Sequence, residues 1–231
     1  RYSMIGDGLS HVSFGALSIA VAFNWAPLAV SIPVVAAAAV LLLRITGNGK
    51  IKSDAAIAMI SAGSLAIGII VTSLTTGMTT DVSSYMFGSI LAMSREDVIL
   101  SAVLSIIVLC LFVFCYNKLF AVTFDENFAK ATGVNVELYN VLIAVLTAVT
   151  IVLGMRMMGA MLISSLIIFP ALTAMRIFKS FRGVVICSGV LAVVCFLFGI
   201  IFSYGCSTPA GASVVLVNLA AFIVFSVVQS L

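Results

Sequence analysis

The stretch GVVICSGVLAVVCFLFGIIFSYGCSTPAGASVVLVNLAAFIVFSVVQSL, residues 183–231, runs for 49 residues without an Asp, Glu, Lys or Arg. A helical membrane span needs about 20 mostly apolar residues, so this interval holds two. They divide at Tyr204-Gly205-Cys206-Ser207-Thr208-Pro209, where small, polar and imino residues replace the aliphatic run. Charge-free intervals recur upstream at 157–175, 138–155, 98–117 and 55–80. Between 8 and 43 the only titratable group is His11, and Asn24-Trp25-Ala26-Pro27 breaks that run in two. The expected spans are 5–22, 27–44, 55–74, 98–117, 138–154, 160–176, 184–203 and 210–229. The fold class is therefore all-α, a polytopic transmembrane helical bundle of about eight spans, with 1–231 as one transmembrane domain.

Composition agrees. Of 231 residues, 63% are hydrophobic and 8% charged, with a mean hydropathy of +1.33. Soluble domains run about 45–50% apolar and about 25% charged. A soluble monomer of this length has too few polar residues to cover its surface. A soluble enzyme, a nucleic-acid binder and a disordered tail are excluded. Cys110, Cys115, Cys187 and Cys195 lie in apolar runs and read as small packing residues; none of the five cysteines forms a CxxC pair. Met155, Met157, Met158 and Met161 read as gap-filling side chains rather than a soft metal site.

The net charge of +3 matters less than its distribution. If every span crosses, one side collects Arg1, Arg44, Lys50, Lys52, Lys118, Lys130, Arg176, Lys179 and Arg182. The positive-inside rule places that side, and the C-terminus, in the cytoplasm. Arg95 and Arg156 fall opposite. Between 75 and 97, Asp81 and Arg95-Glu96-Asp97 flank a short apolar piece, Ser84 to Leu91, suited to a partial or re-entrant helix.

Two places break the apolar pattern. Asp7 and His11 stand four apart, on one helical face and about 6 Å apart along the axis. Charged groups in lipid are costly, so the pair should face a polar interior. Imidazole suits zinc, and a carboxylate widens the choice to manganese or iron. Two ligands make an incomplete site, better suited to passage than to storage. The same spacing also fits an Asp–His contact that fixes packing, or a proton relay.

The second place is the polar segment 122–137 on the cytoplasmic side. Thr123 or Asp125 can cap a short helix, with acidic groups in its first turn. Gly133 then ends it in a left-handed position. Phe124, Phe128 and Ala131 form an apolar stripe. With Lys130 alone against Asp125, Glu126 and Glu137, the stripe fits docking of a soluble partner better than a headgroup-bound helix.

At this point the chain resembles the membrane permease subunits of ATP-binding-cassette importers for zinc, manganese or iron. Gly6-Asp7-Gly8-Leu9-Ser10-His11-Val12-Ser13 resembles the family's Gly-Asp-x-x-x-His-x-Ser segment. Tyr85-Met86-Phe87-Gly88-Ser89-Ile90-Leu91-Ala92 resembles its Tyr-Leu-Phe-Gly-x-x-Leu-Ala segment, and residues 124–134 its Asp-x-x-x-Ala-x-x-x-Gly-Val segment. Residues 159–171 resemble the stretch ending Ile-Pro-Ala, and 208–217 the Pro-x-Gly-x-x-Ile-Val-Leu stretch. Five matches in the same order span nearly the whole chain.

The resemblance implies a type II importer-like permease in a bacterial cell membrane. It implies two permease copies lining the pathway, two cytoplasmic ATPase subunits that bind ATP, and an extracellular or periplasmic metal-binding protein. On that basis Asp7 and His11 are transient pathway ligands for zinc or manganese, with no tightly bound cofactor. Asp125, Glu126, Phe128, Ala129 and Gly133 belong to the coupling helix that the ATPase grips, and Asp81 and Tyr85 are outer-gate candidates. The permease itself is expected to do no bond chemistry, and no Walker motif is present. The family has a further span ahead of its Asp-His segment, which this chain is expected to lack. The alternative is a secondary transporter driven by an ion gradient; it leaves the coupling-like segment unexplained, and no clear internal repeat supports it.

Overall fold

A computed structural model describes residues 5–47, 53–76 and 95–230. Among these, nine helices follow one another: α1 (Ile5–Ala22), α2 (Pro27–Gly47), α3 (Ser53–Thr76), α4 (Arg95–Phe124), α5 (Glu126–Ala131), α6 (Val136–Met158), α7 (Ala160–Ile177), α8 (Phe181–Cys206) and α9 (Ala210–Ser230). All but α5 are long and apolar enough to cross a membrane. In hydrocarbon no water can satisfy a backbone N–H or C=O, so an apolar run of this length has little choice but the helix. Each expected span falls within one of these eight helices. The expected outer-gate residues Asp81 and Tyr85, and the whole of the expected re-entrant piece 84–91, lie outside the described residues.

The breaks fall where the backbone chemistry demands them. After α1, Asn24 takes φ +54. The Asn24 N–H donates to the Val21 carbonyl at 3.1 Å and the Trp25 N–H to that of Ala20 at 2.8 Å, the paired bonds of a Schellman ending. Pro27 then opens α2, where its missing N–H costs nothing. Between α8 and α9, Ser207 is left-handed at φ 52, and Pro209 stands just before α9. α4 is longer than its expected span of 98–117. Its 30 residues rise about 45 Å, against roughly 30 Å of hydrocarbon. No breaker stands between Asn117 and Phe124, and the Lys118 stem can follow the helix while its ammonium reaches water.

The described chain divides into two compact units, up to Gly154 and from Met155 onward. In the first, α1 is the core helix: 67% of its span is buried, against 6% for α4. α1 packs on α2 and α3, and glycines permit it. A Cβ on Gly15 would stand 2.7 Å from the Ser64 carbonyl oxygen, and one on Gly8 would stand 2.5 Å from Ile57 Cγ2. Gly8 to Ile57 and Gly15 to Ser64 keep the same offset in sequence, so α1 and α3 run parallel and in step. In the second unit α7, α8 and α9 pack on one another. α8 and α9 touch at Gly199, where a Cβ would lie 2.5 Å from Val214 Cα.

Candidate functional site

α1 carries the first candidate site. His11 Nε2 and Asp7 Oδ2 are 3.9 Å apart, with side chains 23% and 46% exposed. That separation is too long for a hydrogen bond. Two ligands, each about 2.1 Å from a tetrahedral ion, stand about 3.4 Å apart, so a small rotation of either side chain lets the pair share one ion. Asp7 lies in the first turn of α1, where the helix dipole favours a carboxylate. The Ser10 hydroxyl donates to the Asp7 carbonyl at 2.6 Å and closes that turn. Further along the same face come Phe14 and Ser18, both buried. Ser13 is fully buried and its Oγ has no hydrogen-bond partner. It lies about 200° round the helix from His11, so it supplies no third ligand to this pair. Among the described residues no group of three or more His, Cys, Asp or Glu side chains converges.

The second candidate site is α5 and its flanks. Asp125 takes φ −146 and ψ 98, and its carboxylate accepts from the Asn127 N–H at 2.9 Å and the Phe128 N–H at 3.0 Å. Of the two expected caps, Asp125 is the one used; the Thr123 hydroxyl instead donates back to the Leu119 carbonyl. At the other end Gly133 takes φ +80. The Gly133 N–H donates to the Lys130 carbonyl at 3.1 Å and the Val134 N–H to that of Ala129 at 3.0 Å, again a Schellman ending.

The face that α5 presents is Phe128, 61% exposed, with Phe124 just ahead of it at 66%. Ala131 is also exposed. Ala129 lies within α5 as expected, on the helix's inner face. It is 0% exposed and packs with Val122 at the end of α4 and Val136 at the start of α6. A six-residue helix needs one small side chain on the face that seats it, and Ala129 is that one. It seats the helix against its own chain.

Sequence reasoning missed Asn140. Its Nδ2 donates to Glu126 Oε1 at 3.4 Å, tying α5 to α6. The two residues are separated by a chain reversal, so no helical spacing joins them; a polar residue one turn into a span was the available signal. Asn140 also lines an apolar cleft with Ile5, Leu43, Ile143, Ala144 and Thr147. The cleft brings the α5–α6 corner to within two residues of Asp7. Asn218, 2% exposed in α9, was missed as well; its amide donates to the Val214 carbonyl at 2.9 Å.

Known proteins resemble this arrangement over almost its whole length. The model of the ABC 3 transport family matches residues 1–229. The manganese import system permease protein ScaB of Streptococcus gordonii is 32% identical over 224 residues, covering 96% of this chain and 80% of that protein. The high-affinity zinc uptake system membrane protein ZnuB of Haemophilus influenzae is 26% identical over 223 residues, covering 96% and 85%. Among solved structures, PsaBC from Streptococcus pneumoniae in complex with Fab superposes with a TM-score of 0.85 at 30% identity, over 96% of this chain and 80% of that one.

Proposed function

The chain belongs to the ABC 3 transport family, and from that premise we infer that it is the multi-pass permease subunit of an ATP-driven importer of a divalent transition metal. Zinc or manganese is the cargo we assign. One observation carries the assignment: a carboxylate and an imidazole 3.9 Å apart on one face of α1, the most buried of the eight spans. Both groups are hard-to-intermediate donors that accept either ion. A pair of ligands holds an ion briefly and lets it go, as conduction requires.

The motor is a separate ATPase subunit on the cytoplasmic side, and it grips α5 through Phe128, Phe124 and the acidic first turn. Capping at Asp125 and closure at Gly133 make α5 a rigid piece. Ala129 seats it against α4 and α6, and Glu126–Asn140 adds a polar tie. When ATP draws two such subunits together, α5 moves as a unit. The displacement reaches α6 and then the N-terminal end of α1, so the path past Asp7 and His11 opens to one side and then to the other. Alternation of this kind requires contacts that differ between the two states. A second permease copy supplies the opposite wall of the path, and an external metal-binding protein delivers the ion. Asp81 and Tyr85 belong, in this reading, to the outer mouth.

The test is uptake by the reconstituted complex of permease and ATPase. Labelled zinc and manganese should enter ATP-charged vesicles and compete with each other, with iron as the third competitor. Flux that follows a proton or sodium gradient and ignores ATP would refute the reading.

A further inference from the structure

The connection between α7 and α8 carries three cations in seven residues, Arg176, Lys179 and Arg182. All three are exposed. From residue 155 to the end, the sequence holds these three and Arg156 as its charges, with no Asp or Glu. The connection itself is short: only Phe178, Lys179 and Ser180 separate the last residue of α7 from the first of α8. Both flanking helices are membrane spans. The 18 residues of α7 rise about 27 Å, close to the roughly 30 Å hydrocarbon thickness. Arg176, one residue from its end, therefore stands at headgroup level, and three residues are too few to lift Lys179 or Arg182 clear of it.

The side chains between the cations suit the same depth. Met175, Ile177 and Phe178 are 56%, 43% and 44% exposed and belong at the edge of the acyl layer. The Arg176 guanidinium lies over the Phe222 ring of α9, 5.1 Å from its centroid; this positions the charge without neutralising it. Lys179 makes no ion pair among the described residues. The α4–α6 connection, which the positive-inside rule assigns to the cytoplasmic side as well, has the opposite sign, with Asp125, Glu126 and Glu137 against Lys130. An anionic surface repels that segment and attracts this one.

We propose that Arg176, Lys179 and Arg182 form a binding site for the phosphate of an anionic phospholipid in the cytoplasmic leaflet. The guanidinium forks and the ammonium supply charge-assisted hydrogen bonds to phosphate oxygens. The flanking apolar side chains accept the start of the acyl chains, which a free phosphate lacks. The site depends on membrane orientation and is independent of the metal assignment.

The test uses the full chain with its ATPase partner in phosphatidylcholine nanodiscs, doped with spin-labelled phosphatidylglycerol or, in parallel, spin-labelled phosphatidylcholine. The immobilised lipid fraction is read by spin resonance. Phosphatidylglycerol should be held selectively. Its relative affinity should fall about fivefold in Lys179→Gln, as expected for one cation near a charged surface, and further in the Arg176→Gln/Lys179→Gln/Arg182→Gln triple variant. Lys179→Gln leaves the other eight basic residues of that side in place, so it keeps the topology and decides the matter even if the triple variant fails to insert. Equal immobilisation of the two lipids overturns the proposal, as does unchanged selectivity in Lys179→Gln. Displacement by millimolar inorganic phosphate without headgroup selectivity would also overturn it, giving the site to a free anion. Loss of the ATPase with lipid selectivity intact would assign the cations to a protein contact instead.

Discussion

His11 is the only histidine in the chain, so no other imidazole can take its place beside Asp7. His11→Ala should reduce uptake at limiting metal by tenfold or more while leaving the complex assembled, and Asp7→Asn should do so less severely because its amide oxygen remains. The measurement is initial uptake rate against metal concentration, where a purely packing role would instead appear as lost protein with normal uptake per molecule. Gly133 is a different kind of residue. Nothing lies within 4 Å of where its Cβ would be, so a side chain there meets no clash; what it meets is φ +80. A left-handed backbone costs an L-residue about 1–2 kcal/mol, and Asn tolerates it best. Gly133→Asn should therefore transport almost normally, whereas Gly133→Leu should loosen the end of α5 and lose uptake with membrane insertion intact. Equal uptake in the two variants would remove α5 geometry from the mechanism. Asp125 and Gly133 were both legible in the sequence because capping depends on the residue itself and its nearest neighbours. The burial of Ala129 was not legible, because it depends on Val122 and Val136, which sit on two other helices.

Helices were legible for a related reason: in lipid, a charge-free run of sufficient length has one way to satisfy its backbone. How the helices contact one another was less so. Small residues along α3 (Ser61, Gly63, Ser64, Ala66 and Gly68) suit close packing, and the structure selects among them. Gly68 lies against Phe14 and Gly15 of α1, and Ser64 against Gly15, while Gly63 has nothing within 4 Å. Gly63 and Gly68 differ by about 140° round the helix, and composition gives no hint of which direction the neighbour lies in. The contrast makes a prediction. Gly15→Leu must push its side chain into the Ser64 carbonyl, and overpacking of this kind costs about 1–3 kcal/mol. It should lower the thermal stability of the purified complex and its uptake together. Gly63→Leu, pointing into open space, should leave both close to wild type. If the two variants melt alike, the parallel α1–α3 packing is wrong.

For the whole molecule, the proposed drive from a separate ATPase passes through α5, where the residues that build the helix differ from those it exposes. Asp125, Ala129 and Gly133 hold the helix together; Phe128, 61% exposed, does nothing for its folding that the structure reveals. Phe128→Ala should accordingly leave insertion and the shape of α5 unchanged while reducing both retention of the ATPase on purification and ATP-driven uptake, by about fivefold or more, since a buried aromatic anchor at an interface is worth more than 1 kcal/mol. Asn140→Leu acts later in the chain of contacts. It deletes the amide that donates to Glu126 but leaves the exposed face intact, so the ATPase should remain bound and hydrolyse ATP while fewer ions enter per ATP consumed. The two variants thus separate gripping from transmission. An Asn140→Leu complex with an unchanged ratio of metal to ATP would show that movement reaches α1 through the apolar contacts around Val122, Ala129 and Val136 alone. A Phe128→Ala complex that keeps its ATPase and its uptake would mean the motor holds the permease somewhere other than α5.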